Sequence, residues 1–273
     1  MIRRRALLLA CLGGSQWPTL ARAQQRQSLS NPLRLGVDFA LAESGLAKSL
    51  QRAFGRDTGI AVHLVPGPAL ALLDALERGE LDAALSNAPE AETRLDKQGL
   101  VHDRRVVASS AMIVVGPAPK GKTTDPAGIA GGRDVAQALQ RISAAAAATP
   151  GTLMFLSAAD GSGTHAAEQA LWRAAKVAPA APWYMAAAAG GKLIAQARAC
   201  GAYALVERGS WAAQGGAPLA LLVEGDPLLD VPVHVMRSFR VNHPASKMFA
   251  VWINGPKGAR TVAAQRGYRA PNA

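Results

Sequence analysis

From Leu33 onward, apolar runs alternate with helix-spaced segments over short links, and this rhythm leaves few folds open. Leu33 to Val37 reads as a strand, and Glu43 to Phe54 as a helix carrying Leu46, Leu50, Ala53 and Phe54 on one face. Ile60 to Val65 is a β-branched strand. Ala69 to Arg78 turns Leu72, Leu73 and Leu76 inward and meets Gly79 where a helix stop belongs, and Leu81 to Leu85 is a third strand. Such a β-α-β-α-β series predicts an α/β fold whose sheet is covered by helices on both faces. A short charged helix over Glu90 to Gln98 and a long apolar strand over Val106 to Val115, closing on Gly116-Pro117, complete this first block.

The Pro/Gly/Lys stretch from Gly116 to Asp125 breaks the rhythm, and a long helix from Arg133 to about Ala148 opens a second block. That block continues with a strand at Leu153 to Leu156, the Trp183-Tyr184-Met185 segment, a helix over Lys192 to Ala199, and strands at Ala202 to Val206 and Leu219 to Val223. Val231 to Val241 reads as a strand returning to the first block, with closing helices at Ser246 to Ile253 and Ala259 to Arg266. The expected organisation is one lobe of residues 33–113 plus 229–273 and a second of residues 114–228, joined by two crossings. A ligand would then sit in the cleft between them.

Within the second block, Ser157-Ala158-Ala159-Asp160-Gly161-Ser162-Gly163-Thr164-His165 carries the most chemistry. A polar, glycine-rich turn between a strand and a helix presents free backbone N–H groups at the positive end of the helix dipole, which is a cradle for an anion. Ser162 or Thr164 can cap the helix, His165 reads as a residue that fixes the turn, and Leu171 and Trp172 face inward. The same pattern also suits an ordinary capped strand-to-helix loop.

The N-terminus limits where such a chain works. Met1-Ile2-Arg3-Arg4-Arg5, the apolar run Ala6 to Leu12 and Ala21-Arg22-Ala23 form the three-part pattern of an export signal, residues 1–23. Arg4-Arg5 also suits a twin-arginine route. Cleavage after Ala23 would remove Cys11, leave Cys200 without a partner for an internal disulfide, and reduce the formal charge of +11 to about +7. Cys200 is expected to be buried. The basic residues are scattered and aromatics make up only 5%, which argues against nucleic acid as a partner. The five histidines show no metal-ligand spacing. Ser162 lacks the Gly-x-Ser-x-Gly elbow and the signposted base of an esterase, so a hydrolase is a remote alternative.

The series Glu43-Ser44-Gly45-Leu46, Asp57-Thr58-Gly59-Ile60, Ala88-Pro89-Glu90, Ile113-Val114-Val115-Gly116-Pro117, Asp125-Pro126-Ala127-Gly128-Ile129, Asp160 to His165 with Leu171-Trp172, Trp183-Tyr184, Gly201-Ala202-Tyr203, Arg208-Gly209-Ser210-Trp211 and Glu224-Gly225-Asp226-Pro227 carries a resemblance. From about Leu33 to near the C-terminus, the chain resembles the tungstate-binding solute receptors of bacterial ABC importers. The resemblance implies a type II periplasmic-binding-protein fold with two α/β lobes and two hinge crossings. It also implies an oxyanion held by hydroxyls, backbone amides and an arginine, a membrane permease as partner, a monomer, no cofactor and no catalysis.

Departures fall at the family's ligand contacts. Val37-Asp38-Phe39-Ala40 stands where the family usually has Thr-Thr-Thr-Ser, Ala158 where it has an arginine, and Pro66-Gly67-Pro68 where it has Gly-Thr-Gly. Each lost charge-assisted bond removes roughly 1.5–3 kcal/mol of anion affinity, and an ionised Asp38 adds repulsion. The residues expected at the cleft are Asp38, Phe39, Asn87, Ser109, Ser110, Ser162, Gly163 and Thr164. The expected function is a periplasmic receptor for a small, tungstate- or molybdate-like oxyanion. The alternatives are an organic or zwitterionic ligand engaging Asp38, or a degenerate receptor acting as a sensing or interaction module.

Overall fold

The computed structural model describes residues 28–119, 125–189 and 192–271, so the expected export signal lies outside the described residues. The first block contains β1 (Leu33–Asp38), α1 (Phe39–Glu43), α2 (Leu46–Thr58), β2 (Val62–Gly67), α3 (Ala69–Arg78), β3 (Ala83–Ser86), α4 (Pro89–Lys97) and β4 (Val101–Pro117). The second contains α5 (Val135–Ala148), β5 (Phe155–Ser157), α6 (Gly163–Ala174), β6 (Tyr184–Ala186), α7 (Leu193–Cys200), β7 (Ala204–Glu207), α8 (Arg208–Gln214) and β8 (Leu219–Val223). A short 3₁₀ turn then leads into β9 (Asp230–Ser238), α9 (Pro244–Ile253), α10 (Pro256–Ala263) and β10 (Tyr268–Arg269). None of the described helices is long and apolar enough to cross a membrane.

Strands β2, β1 and β3 run parallel, β9 joins β3 antiparallel, and β4 and β10 extend the sheet beyond β9. Side chains alternate across this sheet, so the two faces have separate cores. Leu33, Leu35 and Val37 pack with α2, α9 and α10 on one face, through Leu50, Phe54 and Phe249. Ala84 and Met236 meet α3 and α4 on the other, through Leu72, Leu73, Leu76 and Leu95. Gly36 makes the second packing possible, because a Cβ there would lie 2.6 Å from Leu81 and 3.2 Å from Leu72.

Strand β4 serves both halves of the molecule. Val101 to Ala111 pair with β9, whereas Met112 to Pro117 pair with β7 and β8. Two further cores flank this second segment. Val114, Ile142, Phe155, Leu171 and Trp172 belong to one, and Ile113, Val115, Ile194 and Val206 to the other. Two short parallel strands, β5 and β6, complete the second half, with Leu156 N–H donating to the Tyr203 carbonyl at 2.7 Å.

Several boundaries depart from the sequence expectation. The single helix expected over Glu43 to Phe54 is two helices, separated at Gly45 with φ 87°; Asp38 caps the first and Leu46 starts the second. Strand β4 begins five residues before Val106, because its polar start is carried by ion pairs rather than apolar alternation. Asp103 meets Arg237 at 2.6 Å, and Arg104 meets the buried Glu92 at 3.2 Å. Cys200 is exposed rather than buried. It ends α7 on the surface, where its thiol donates to the Gln196 carbonyl at 3.1 Å.

Candidate functional site

The turn before α6 is built from its own side chains. Asp160 Oδ1 accepts from Ser162 N–H at 2.9 Å, Ser162 Oγ from His165 N–H at 3.2 Å, and His165 Nδ1 from Gly161 N–H at 3.2 Å. Ser162 is therefore the N-cap, and α6 starts at Gly163, three residues ahead of the apolar periodicity. Gly161 takes φ 75°, and its carbonyl accepts from Leu70 N–H in the first turn of α3 at 3.1 Å. The turn thus meets a helix of the other half directly.

Asp38 lies beneath this junction and is fully buried. Its Oδ1 accepts from Ala40 N–H at 3.1 Å, the local cap of α1. Its Oδ2 accepts from Ala69 N–H of α3 at 3.1 Å and from Gly163 N–H of α6 at 2.9 Å. Burial pushes the Asp38 carboxyl up to about 7; the three backbone amides pull it back down, and the nearby Asp160 charge adds to the rise. Asn87, at the end of β3, is also fully buried and abuts the same helix start: a Cβ on Gly163 would fall 1.8 Å from Asn87 Oδ1. Glycine at this position therefore allows the Asn87 carboxamide to approach the helix N-terminus. Among the described residues, neither Nδ2 nor Oδ1 of Asn87 has a hydrogen-bond partner.

Above this buried layer lies a cavity of about 330 Å³. Phe39 and Ala40 at the start of α1, the cap Ser162 and Thr164 at the start of α6, Lys192 to Ile194 at the start of α7, and the cap Glu207 with Ser210 at the start of α8 line it, together with Glu43, Ala158, Asp160, Val206 and residues 187–189. Four helix starts therefore face one small space. Two of them carry carboxylate caps, Asp38 on α1 and Glu207 on α8, while α7 has no side-chain cap. The resulting potential combines backbone dipoles and Lys192, which favour an anion, with Glu43 and Asp160, which oppose one.

Glu207 is buried like Asp38. Its Oε1 accepts from Ser110 Oγ at 2.6 Å and its Oε2 from Ser210 N–H at 3.2 Å, yet burial still pushes its carboxyl above the usual range. Ser210 Oγ donates to the Ala40 carbonyl at 2.9 Å, which ties α8 to α1.

Of the residues expected at the cleft, Phe39, Ser162 and Thr164 line the cavity, while Asp38, Asn87 and Gly163 form the layer beneath it. Ser110 acts one step away, through Glu207. Ser109 lies on the sheet, paired with Pro232 and Arg269, and is not among the lining residues. Sequence reasoning did not single out Glu207, Ser210 or Lys192. Glu207 ends the buried strand β7 and Ser210 lies in the Arg208-Gly209-Ser210-Trp211 that follows it; a polar residue ending a buried strand just before a glycine-containing helix start is the signal that points to them.

Two α/β halves that share a pair of long antiparallel strands and face each other across helix starts define the type II periplasmic-binding-protein fold. The tungstate ABC transporter structure from Geobacter sulfurreducens superposes with a TM-score of 0.73 at 27% identity, covering 86% of this chain and 98% of that one. Among curated relatives, the tungstate-binding protein TupA of Peptoclostridium acidaminophilum is 29% identical over 238 residues, 84% of this chain and 79% of that protein. A putative ABC transporter anion-binding protein of Haloferax volcanii is 29% identical over 242 residues, 84% of this chain and 68% of that protein. The sequence profile of the bacterial extracellular solute-binding proteins matches residues 42–269, and the chain belongs to that family.

Proposed function

We propose that the chain is the solute receptor of an ABC importer and that it takes a small oxyanion, of the tungstate and molybdate type, into the cavity at the start of α6. The observation that carries this reading is the convergence of the N-termini of α6 and α7 on that cavity, beside the Ser162 and Thr164 hydroxyls and Lys192. The names of its relatives point the same way. On this reading, residues 33–113 plus 229–273 and residues 114–228 are lobes that hinge where β4 passes from β9 to β7. The chain is exported after loss of residues 1–23, works in the periplasm as a monomer without catalysis, and delivers its solute to a membrane permease.

Calorimetry of the purified chain with tungstate, molybdate, sulfate and phosphate tests the reading. At least micromolar affinity for one of them is expected, and no heat across the panel overturns it. A second reading has its own support. Phe39, Leu193, Ile194 and Val206 give the cavity an apolar wall, with Glu43 and Asp160 beside it, as suits a small organic zwitterion. A thermal-shift screen of amino acids and organic acids separates the two.

A further inference from the structure

The Asp38 carboxylate is held by backbone amides alone. Two of its three amide donors come from helices of different halves: α3, anchored by Leu72, Leu73 and Leu76 in one core, and α6, anchored by Leu171 and Trp172 in another. These helices are ten and twelve residues long, and their first N–H groups meet on the single oxygen Oδ2. A second feature lies at the same place. The Asn87 carboxamide is fully buried against Gly163, with Oδ1 the nearer atom, and neither its Nδ2 nor its Oδ1 has a partner among the described residues, so its polar capacity is open beside the start of α6.

The two halves also make direct contacts with each other. Leu70 N–H donates to the Gly161 carbonyl, and Arg173 of α6 pairs with Glu90 of α4 at 2.8 Å. A carboxylate from the chain is thus already bonded to amides that an oxyanion would otherwise use. Asp160 and Glu43 line the cavity as well, so a dianion there meets further negative charge.

We propose that Asp38 is a tethered surrogate ligand: its carboxylate fills an anion subsite at the starts of α3 and α6, draws the two halves together without solute, and limits the affinity for free oxyanions. This inference rests on the anion-receptor reading for its ligand class but not for the subsite itself.

The test compares wild type with Asp38→Gly and Asp38→Asn at about pH 8.5, where the wild-type carboxylate is ionised. Asp38→Gly is expected to bind tungstate or molybdate at least ~10-fold more tightly than wild type by calorimetry. Formate, which matches the missing carboxylate, is expected to raise the Tm of Asp38→Gly and leave that of wild type unchanged. Should Asp38→Gly fold only in formate, that dependence itself supports the surrogate role. Should it not fold at all, Asp38→Asn, which keeps the size and loses the charge, must gain oxyanion affinity or the proposal falls. A folded Asp38→Gly that responds to neither formate nor oxyanions overturns the proposal. If formate stabilises Asp38→Gly but neither protein binds an oxyanion, the subsite stands and the receptor reading falls. If wild type binds oxyanions while Asp38→Gly binds no more tightly and ignores formate, the receptor reading stands and the surrogate falls.

Discussion

Asp38 shows how a single carboxylate can be held by amides and still be hard to ionise. Its value in the folded chain, about 7, exceeds the unfolded value of 3.8, so the folded form carries more protons across that interval. Stability therefore falls as pH rises from about 4 to about 7, by about 4 kcal/mol from this group alone. Glu168, buried beside Trp172 and Tyr184 and raised to about 6, acts in the same direction. The expected outcome is a Tm higher at about pH 5 than at about pH 8, with a slope that flattens in Asp38→Asn; a profile that rises with pH through this range contradicts it. Gly163 makes a second prediction. Gly163→Ala drives a Cβ into Asn87 and should cost about 1–3 kcal/mol in urea unfolding, part of which Asn87→Ala restores in the double variant. From the sequence, Asp38 was legible as the residue that breaks the family pattern. Its three donors were not, because two of them lie 31 and 125 residues away and only the folded topology brings them together.

Elements were legible where packing and pattern agree. Helix α3 runs from Ala69 to Arg78 as its leucine spacing and Gly79 require, and β8 spans the five apolar residues Leu219–Val223. Helix α6 starts earlier than its apolar face because Ser162 caps it; Ser162→Ala should destabilise the fold by about 1 kcal/mol and loosen the turn, measurable as faster amide exchange at Gly161 and His165. Helix α8 escaped the pattern because Arg208–Gln214 has no apolar stripe and forms around the Glu207 cap. The charged start of β4 escaped for a related reason. Glu92 holds Arg104 at 3.2 Å and His234 Nδ1 at 2.6 Å, tying α4 to both long strands. Glu92→Ala, which strands Arg104 next to a buried gap, should cost about 3–5 kcal/mol in denaturant unfolding.

At the scale of the molecule, two halves were readable from the break after Gly116 and the return near Val231, but the place where the chain crosses was not: β4 leaves β9 for β7 between Ala111 and Met112, a few residues ahead of that break. The balance of charges at the cavity was not readable, because Lys192, Glu43, Asp160 and Glu207 come from four separate segments. With an overall basic surface, oxyanion association should slow several-fold between ~10 mM and ~150 mM salt in stopped-flow measurements; an unchanged rate would mean that the acidic rim outweighs the basic surface. Exposed Cys200 ends the helix whose opposite end borders the cavity, and it is the sole cysteine of the described residues. In the chain that lacks residues 1–23, and with them Cys11, a thiol-reactive dye can therefore be attached at one site, turning the chain into its own fluorescent gauge of cavity occupancy.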